Sequence, residues 1–237
     1  MGLVFGRFCI SVLLAMTVGS VAFAQVNVPG GGGSMGVAGG SMGLGCTALN
    51  VQGTFNVNSG QVSGTGDVNI ASTGTVNGDQ GTLSVSGNWS NSGAFVPGTG
   101  TVIFTDGCAV GPLQISGTTV FNNLTLTSTN GQTFVIPAGA NITVNGTLTL
   151  LGASGSPIQL VSSSGQTAVI NLGPSAQVIR NFVNVSGNVQ IGALSSAQSI
   201  PTLSEYGLII LSLLMAGTVL WRGRVSTLIA TRKNQHH

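Results

Sequence analysis

Charge is what this sequence has least of. Only 4% of its 237 residues are charged, against roughly a quarter in ordinary soluble domains. Between Gln25 and Ser204 the only charged side chains are Asp67, Asp79, Asp106 and Arg180. The same interval has no histidine, lysine or glutamate, since His236, His237, Lys233 and Glu205 all lie beyond it. Each gap excludes something. Without a basic face there is no footprint for nucleic acid. Without histidine, the Ser-His-Asp and Cys-His nucleophile arrangements and His/Cys zinc sites cannot be assembled in the middle of the chain. Paired-carboxylate hydrolysis would need two of the three aspartates. Each of those adjoins a glycine, at Gly66, Gly78 and Gly107, which is the ordinary setting of an Asp in a turn. Three scattered acids also fall short of a calcium-binding repeat. The expectation is a protein that is not an enzyme, with no cofactor and no metal. Arg180, the lone cation of the middle, reads as a solvent-facing rim residue.

Low charge alone would suit a disordered chain, but disorder also needs low hydrophobicity. Here 42% of residues are hydrophobic and 38 are glycine. From about 48 to 191 short apolar runs alternate with Thr, Ser and Asn, as in Leu124-Thr125-Leu126-Thr127 and Ile142-Thr143-Val144-Asn145. A period of two puts one strand face in a core and the other in water. Between the runs stand Asn58-Ser59-Gly60, Asn77-Gly78, Asn130-Gly131, Asn145-Gly146 and Ser186-Gly187. These are read as turns supplying positive-φ positions. Leu124, Ile142, Ile158 and Val178 open similar strands at comparable steps, each near one coil of a parallel β-helix. The fold expected is all-β, a parallel β-helix or β-solenoid, with an antiparallel β-sandwich as the alternative. Trp89 fits a core or turn aromatic better than a stacking platform for a sugar. Thr pairs such as Thr125/Thr127 and Thr147/Thr149 are too patchy for an ice-binding face.

The ends carry different signals. Arg7, an apolar stretch from 8 to 18, and the small residues Ala22 and Ala24 ahead of Gln25 have the layout of a secretory signal peptide, residues 1–24, cut before Gln25. That layout implies signal peptidase and the secretion machinery as partners. Residues 25–47 are dense in glycine and are read as a flexible linker, followed by an ectodomain over 48–199. Cys9 falls in the leader, which leaves Cys46 and Cys108 either to form one disulfide in an oxidising compartment or to stay as separate thiols. Near the other end, 207–221 is an uncharged apolar run, somewhat short of the ~20 residues of a full transmembrane helix. Arg222 and Arg224 follow it and place residues 225–237 as a cytoplasmic tail.

The segment before that run reads Ile200, Pro201, Thr202, Leu203, Ser204, Glu205, Tyr206, Gly207. Together with the apolar run and the basic finish it closely resembles the IPTL-CTERM protein-sorting domain, over 200–224. Tyr206 stands where that family usually has Trp. The resemblance implies an exosortase-type membrane transpeptidase as partner, an inner-membrane intermediate, and delivery to the cell surface or extracellular matrix. It also brings an association with exopolysaccharide and biofilm material. The middle resembles the β-strand repeats of adhesin-like surface proteins, at residues 87–93, 97–102 and 121–126. The function expected is adhesion or matrix building. A β-helix polysaccharide lyase or hydrolase and an unprocessed single-pass membrane protein are the alternatives.

Overall fold

A computed structural model describes residues 25–108, 111–163 and 165–192. The expected signal peptide with Ala22 and Ala24, the expected sorting signal at 200–207, the apolar run and the expected cytoplasmic tail lie outside the described residues. So does any helix there; among the described residues no helix is long and apolar enough to cross a membrane.

The described residues form a parallel β-solenoid of about seven turns. The chain winds past three sides in a fixed order. The first side stacks Gln25–Val28, residues 48–51, 68–70, Trp89–Asn91, 113–117, Thr133–Ile136, Ile158–Ser162 and Val183–Val185. The second stacks Ser34–Gly36, Thr54–Asn56, Thr75–Asn77 and Ala94–Val96. It continues through residues 118–121, Asn141–Val144, Ala168–Leu172 and Val189–Ile191. The third stacks residues 41–43, 61–63, Thr82–Val85, Thr101–Phe104, Asn123–Thr127, Thr147–Leu151 and Gln177–Asn181. Every strand pairing is parallel, which settles the fold against the antiparallel sandwich.

Alternation explains the core. On the third side Leu83, Val102, Leu124 and Leu148 stack in register, and so do Val85, Phe104, Leu126 and Leu150. All eight are buried, while the residues between them face out. At mid-length the core holds an aromatic cluster fed from all three sides. Trp89, fully buried, meets Phe95 edge-on at 5.2 Å between ring centroids, with Phe104 at 6.2 Å and Phe121 at 5.5 Å. Its indole N–H donates to Thr119 Oγ1 at 3.0 Å, which satisfies the one polar atom that a buried tryptophan must place. Trp89 is therefore core and offers no platform to a ligand.

Three expectations change. The glycine-dense segment is part of the solenoid: Gln25–Val28, Ser34–Gly36 and the start of Ser41–Val51 are strands of its first turn. Its apolar residues are sparse yet correctly spaced, with Met35, Val37, Met42 and Leu44 turned to the core. Its glycine density partly reflects crowding, since a Cβ on Gly36 would lie 2.7 Å from the Asn56 carbonyl oxygen of the next turn. Secondly, most of the turn glycines do not supply positive φ. Asn58 (φ 54) and Gly131 (φ 77) do. Gly60 and Gly146 are needed for close approach instead, because a Cβ would lie 2.7 Å from the Gly40 oxygen and 2.7 Å from Asn123 Oδ1 respectively. Thirdly, the repeat is longer than the strand spacing suggested. Leu124 stacks on Leu148 and Leu148 on Val178, whereas Ile142 and Ile158 lie on the other two sides. The turns are also unequal: Leu49 already meets its partner at Val68, while Leu148 meets its own only at Val178.

Truncating Phe104 to alanine removes a fully buried ring from the aromatic cluster. The expected cost is about 3–5 kcal/mol, read as a lower urea midpoint of the purified solenoid. Gly117→Ala is expected to destabilise too, because Gly117 has φ +85 and a Cβ there would lie 2.0 Å from the Asn91 oxygen.

Candidate functional site

The corners carry the chemistry of this solenoid, since the strands offer mostly Ser, Thr, Asn and Gln outward. The corner from the third side to the first is the most elaborate. Thr47, Thr65, Val85 and Phe104 occupy successive layers there. Three layers amount to about 14 Å at ~4.8 Å per strand. Yet Cys46, next to the first layer, and Cys108, just past the last, have Cα atoms 5.5 Å apart and are joined as a disulfide. The chain after Phe104 therefore turns back along the stack and is stapled across the intervening turns. The bridge closes a loop with a sequence separation of 62, for which chain entropy gives about 4 kcal/mol of stabilisation.

The same corner is tied on its other flank. Asp106 Oδ2 accepts from Ser128 Oγ at 2.6 Å and from Asn130 Nδ2 at 3.1 Å. Ser128 Oγ in turn accepts the backbone N–H groups of Asn130 and Gln132, both at 3.0 Å. Gln132 Nε2 donates to the Gly111 oxygen at 2.6 Å. The Ser128 hydrogen bond, helped by backbone donors and Asn130 and opposed by burial, holds the Asp106 carboxyl below its ordinary value of 3.8. Charge-assisted bonds of this kind are about twice as strong as neutral ones.

Beside the disulfide lies a cleft of about 450 Å³, lined by residues including Cys46, Asp67, Ser86, Asn88, Cys108 and Pro112. Asp67 Oδ1 accepts the backbone N–H of Asn88 at 2.7 Å, and Asn88 Oδ1 accepts that of Gln114 at 2.8 Å. Asp67 and Asn88 thus play the same part in adjacent turns: each side chain caps the backbone of the layer above. Asp79 stands at a different corner, between the second and third sides, with φ 49 and its carbonyl accepting from the Thr99 N–H. The three aspartates are turn and corner residues. Among the described residues no cluster of His, Cys, Asp and Glu is arranged to hold a metal ion. The corner staple was visible in the sequence only as two cysteines. Ser128 and Asn130, the partners of Asp106, sit a turn further along the chain, a relation that is readable only once the length of the turn is known.

Outside the corners, side-chain amides form ladders from turn to turn. Asn69 Nδ2 donates to Asn50 Oδ1 at 2.9 Å, and Asn50 Nδ2 to Asn27 Oδ1 at 3.2 Å. On the second side Asn77 Nδ2 donates to Asn56 Oδ1 at 2.7 Å.

Residues 198–224 match the family model of the IPTL-CTERM motif. The motif is a C-terminal sorting signal of exported proteins and implies processing by an exosortase-type enzyme. It covers Ile200 to Gly207, the apolar run and both following arginines. The remainder of the chain is outside the match. No curated protein and no solved structure matches the chain.

Asp106 provides a pH test. Its folded carboxyl is more acidic than the unfolded one, so its contribution to stability is present above the unfolded value. That contribution is lost as pH falls through the folded value. Wild type is therefore expected to lose stability as the pH drops below 3.8. Asp106→Asn is expected to be less stable at neutral pH and to show a flatter loss, by thermal unfolding across that range.

Proposed function

We propose that this chain is a non-enzymatic surface or matrix protein. Its solenoid binds polysaccharide through many weak contacts after the C-terminal signal has been processed. The observation that carries the reading is the pairing of a sorting signal with a rigid stack whose outward rows are hydroxyls and amides. On the third side Thr101 lies between Thr82 and Asn123, and Asn123 leads to Thr147 through the register of the next strand. Such groups donate and accept hydrogen bonds at about 4.8 Å intervals from turn to turn, and their cost of desolvation is far below that of ions. A chain with repeated hydroxyls can meet many of them at once, so that modest single contacts add through effective concentration.

Support for a non-catalytic role comes from the acids. Asp67 and Asp106 are engaged in separate corner bonds, and no histidine, lysine or glutamate is available in the stack to share a proton. Export would proceed by cleavage after Ala24, and the apolar run would hold an intermediate in the inner membrane. The Ile200–Leu203 signature would then present the cut.

Two measurements test this reading. Intact mass and C-terminal sequencing of the protein from its native host should show a chain that starts at Gln25 and ends near 200–205. A full tail in the membrane fraction would instead make it an unprocessed anchored protein. Calorimetry of the solenoid with the host's exopolysaccharide should show weak, multivalent binding without turnover. Release of new reducing or unsaturated ends would establish a lyase or hydrolase and sink the non-enzymatic reading.

A further inference from the structure

An asparagine followed by glycine can modify itself, because the glycine nitrogen has no neighbouring Cβ to shield it from the asparagine side chain. The chain has three such pairs, Asn77-Gly78, Asn130-Gly131 and Asn145-Gly146, and the solenoid treats them differently. Reaction needs a free glycine N–H and an asparagine side chain that can swing over it. In two of the pairs the fold withholds the nitrogen. The Gly78 N–H donates to the Val96 oxygen at 2.8 Å, and the Gly146 N–H donates to the Asn122 oxygen at 2.8 Å. Gly78 is buried as well, and the Asn77 amide is held in its ladder by Asn56. The Asn145 side chain lies against Gly173 of the next turn. At the third pair Asn130 is exposed, and the Gly131 N–H has no hydrogen-bond partner among the described residues. The surroundings are open, since a Cβ on Gly131 would meet nothing closer than the Pro157 oxygen at 3.5 Å. The Asn130 side chain makes one hydrogen bond, from Nδ2 to Asp106 Oδ2 at 3.1 Å. At an exposed residue water competes for that bond.

We propose that Asn130-Gly131 is a self-modifying site, at which the Asn130 amide is slowly converted to a carboxylate that unties the corner at Asp106. The Gly131 nitrogen attacks Asn130 Cγ and forms a new C–N bond. The Cγ–Nδ2 bond breaks, and ammonia leaves with the proton that Gly131 gives up. Water then opens the cyclic imide. Opening at Cγ gives aspartate; opening at the main-chain carbonyl gives isoaspartate, whose backbone runs through the former side chain. Either product replaces the donor facing Asp106 with a second negative charge, and like charges so close repel. Isoaspartate also lengthens the main chain between the N–H groups of Asn130 and Gln132, which share Ser128 Oγ as their acceptor. The flank of the excursion opposite the disulfide therefore loosens as the protein ages. The reaction needs only water, so it can run on a chain that has already left the cell. It is independent of what the solenoid binds.

The measurement is peptide mapping by mass spectrometry of the mature protein from its native host, aged in warm neutral buffer. Asn130 should deamidate about tenfold faster than Asn77 or Asn145, the rate equivalent of one net hydrogen bond that need not be broken first. In the same chain, reduced and unfolded in guanidinium, the three pairs should react at similar rates, which assigns the preference to the fold. Asn130→Asp carries the aspartate product from the start and should unfold at a lower temperature than wild type at neutral pH. Asn130→Gln keeps an amide at that position and should gain no charge there on ageing. An Asn130 that reacts no faster than the other two in the folded protein would overturn the proposal. So would a preference for Asn130 that survives unfolding, or an Asn130→Asp protein as stable as wild type.

Discussion

Everything in this molecule depends on main-chain hydrogen bonds between like strands in successive turns. A parallel strand cannot be satisfied locally; its partner is a whole turn away along the chain, as Val68 is from Leu49 and Val178 from Leu148. That one constraint aligns the inward rows, because pairing in register puts each apolar residue over another. It also determines what the corners must do. Turns of unequal length can stack only if the excess leaves the column at a corner, and the excursion after Phe104 is the one tied down by a disulfide and by hydrogen bonds to a carboxylate. Cys46–Cys108 and the Asp106–Ser128–Asn130 group are thus consequences of the stacking rule.

The sequence shows the strands clearly and the turns poorly. Leu124-Thr125-Leu126-Thr127 announces a half-buried strand by its period of two, and it is one. The length of a turn is hidden because three sides repeat the same pattern, so that Ile142 and Ile158 look like the next turns of Leu124 when they belong to other sides. The first turn is hidden for a different reason. Glycine in Val26–Cys46 looks like looseness, yet at Gly36 it reflects crowding, since the backbone of the neighbouring turn occupies the place of a side chain. Composition cannot tell a residue without a side chain because nothing is needed from one without a side chain because nothing fits.

The functional evidence is divided along the chain. The sorting motif is a short linear one, legible from Ile200 to Gly207 without any structure, because it is carried by the order of its residues. The solenoid offers no comparable motif. Its outward hydroxyls and amides gain meaning only as rows, and rows exist only after folding has placed residues a turn apart side by side. Asp67 illustrates the limit: beside glycine it looks like a turn acid, and its actual partner is a backbone N–H one turn above.

The staple between Cys46 and Cys108 has a mechanical consequence. A protein held at its C-terminal end and loaded along its axis is peeled one turn at a time, since each turn is fastened only to its neighbours. Peeling from that end runs freely until it reaches Cys108. There the tension passes through sulfur to Cys46, and the residues between the two cysteines drop out of the load path. The disulfide therefore acts as a stop that limits how far the chain can be drawn out, and it leaves the aromatic-cored middle turns, from Thr47 to Gly107, unstretched.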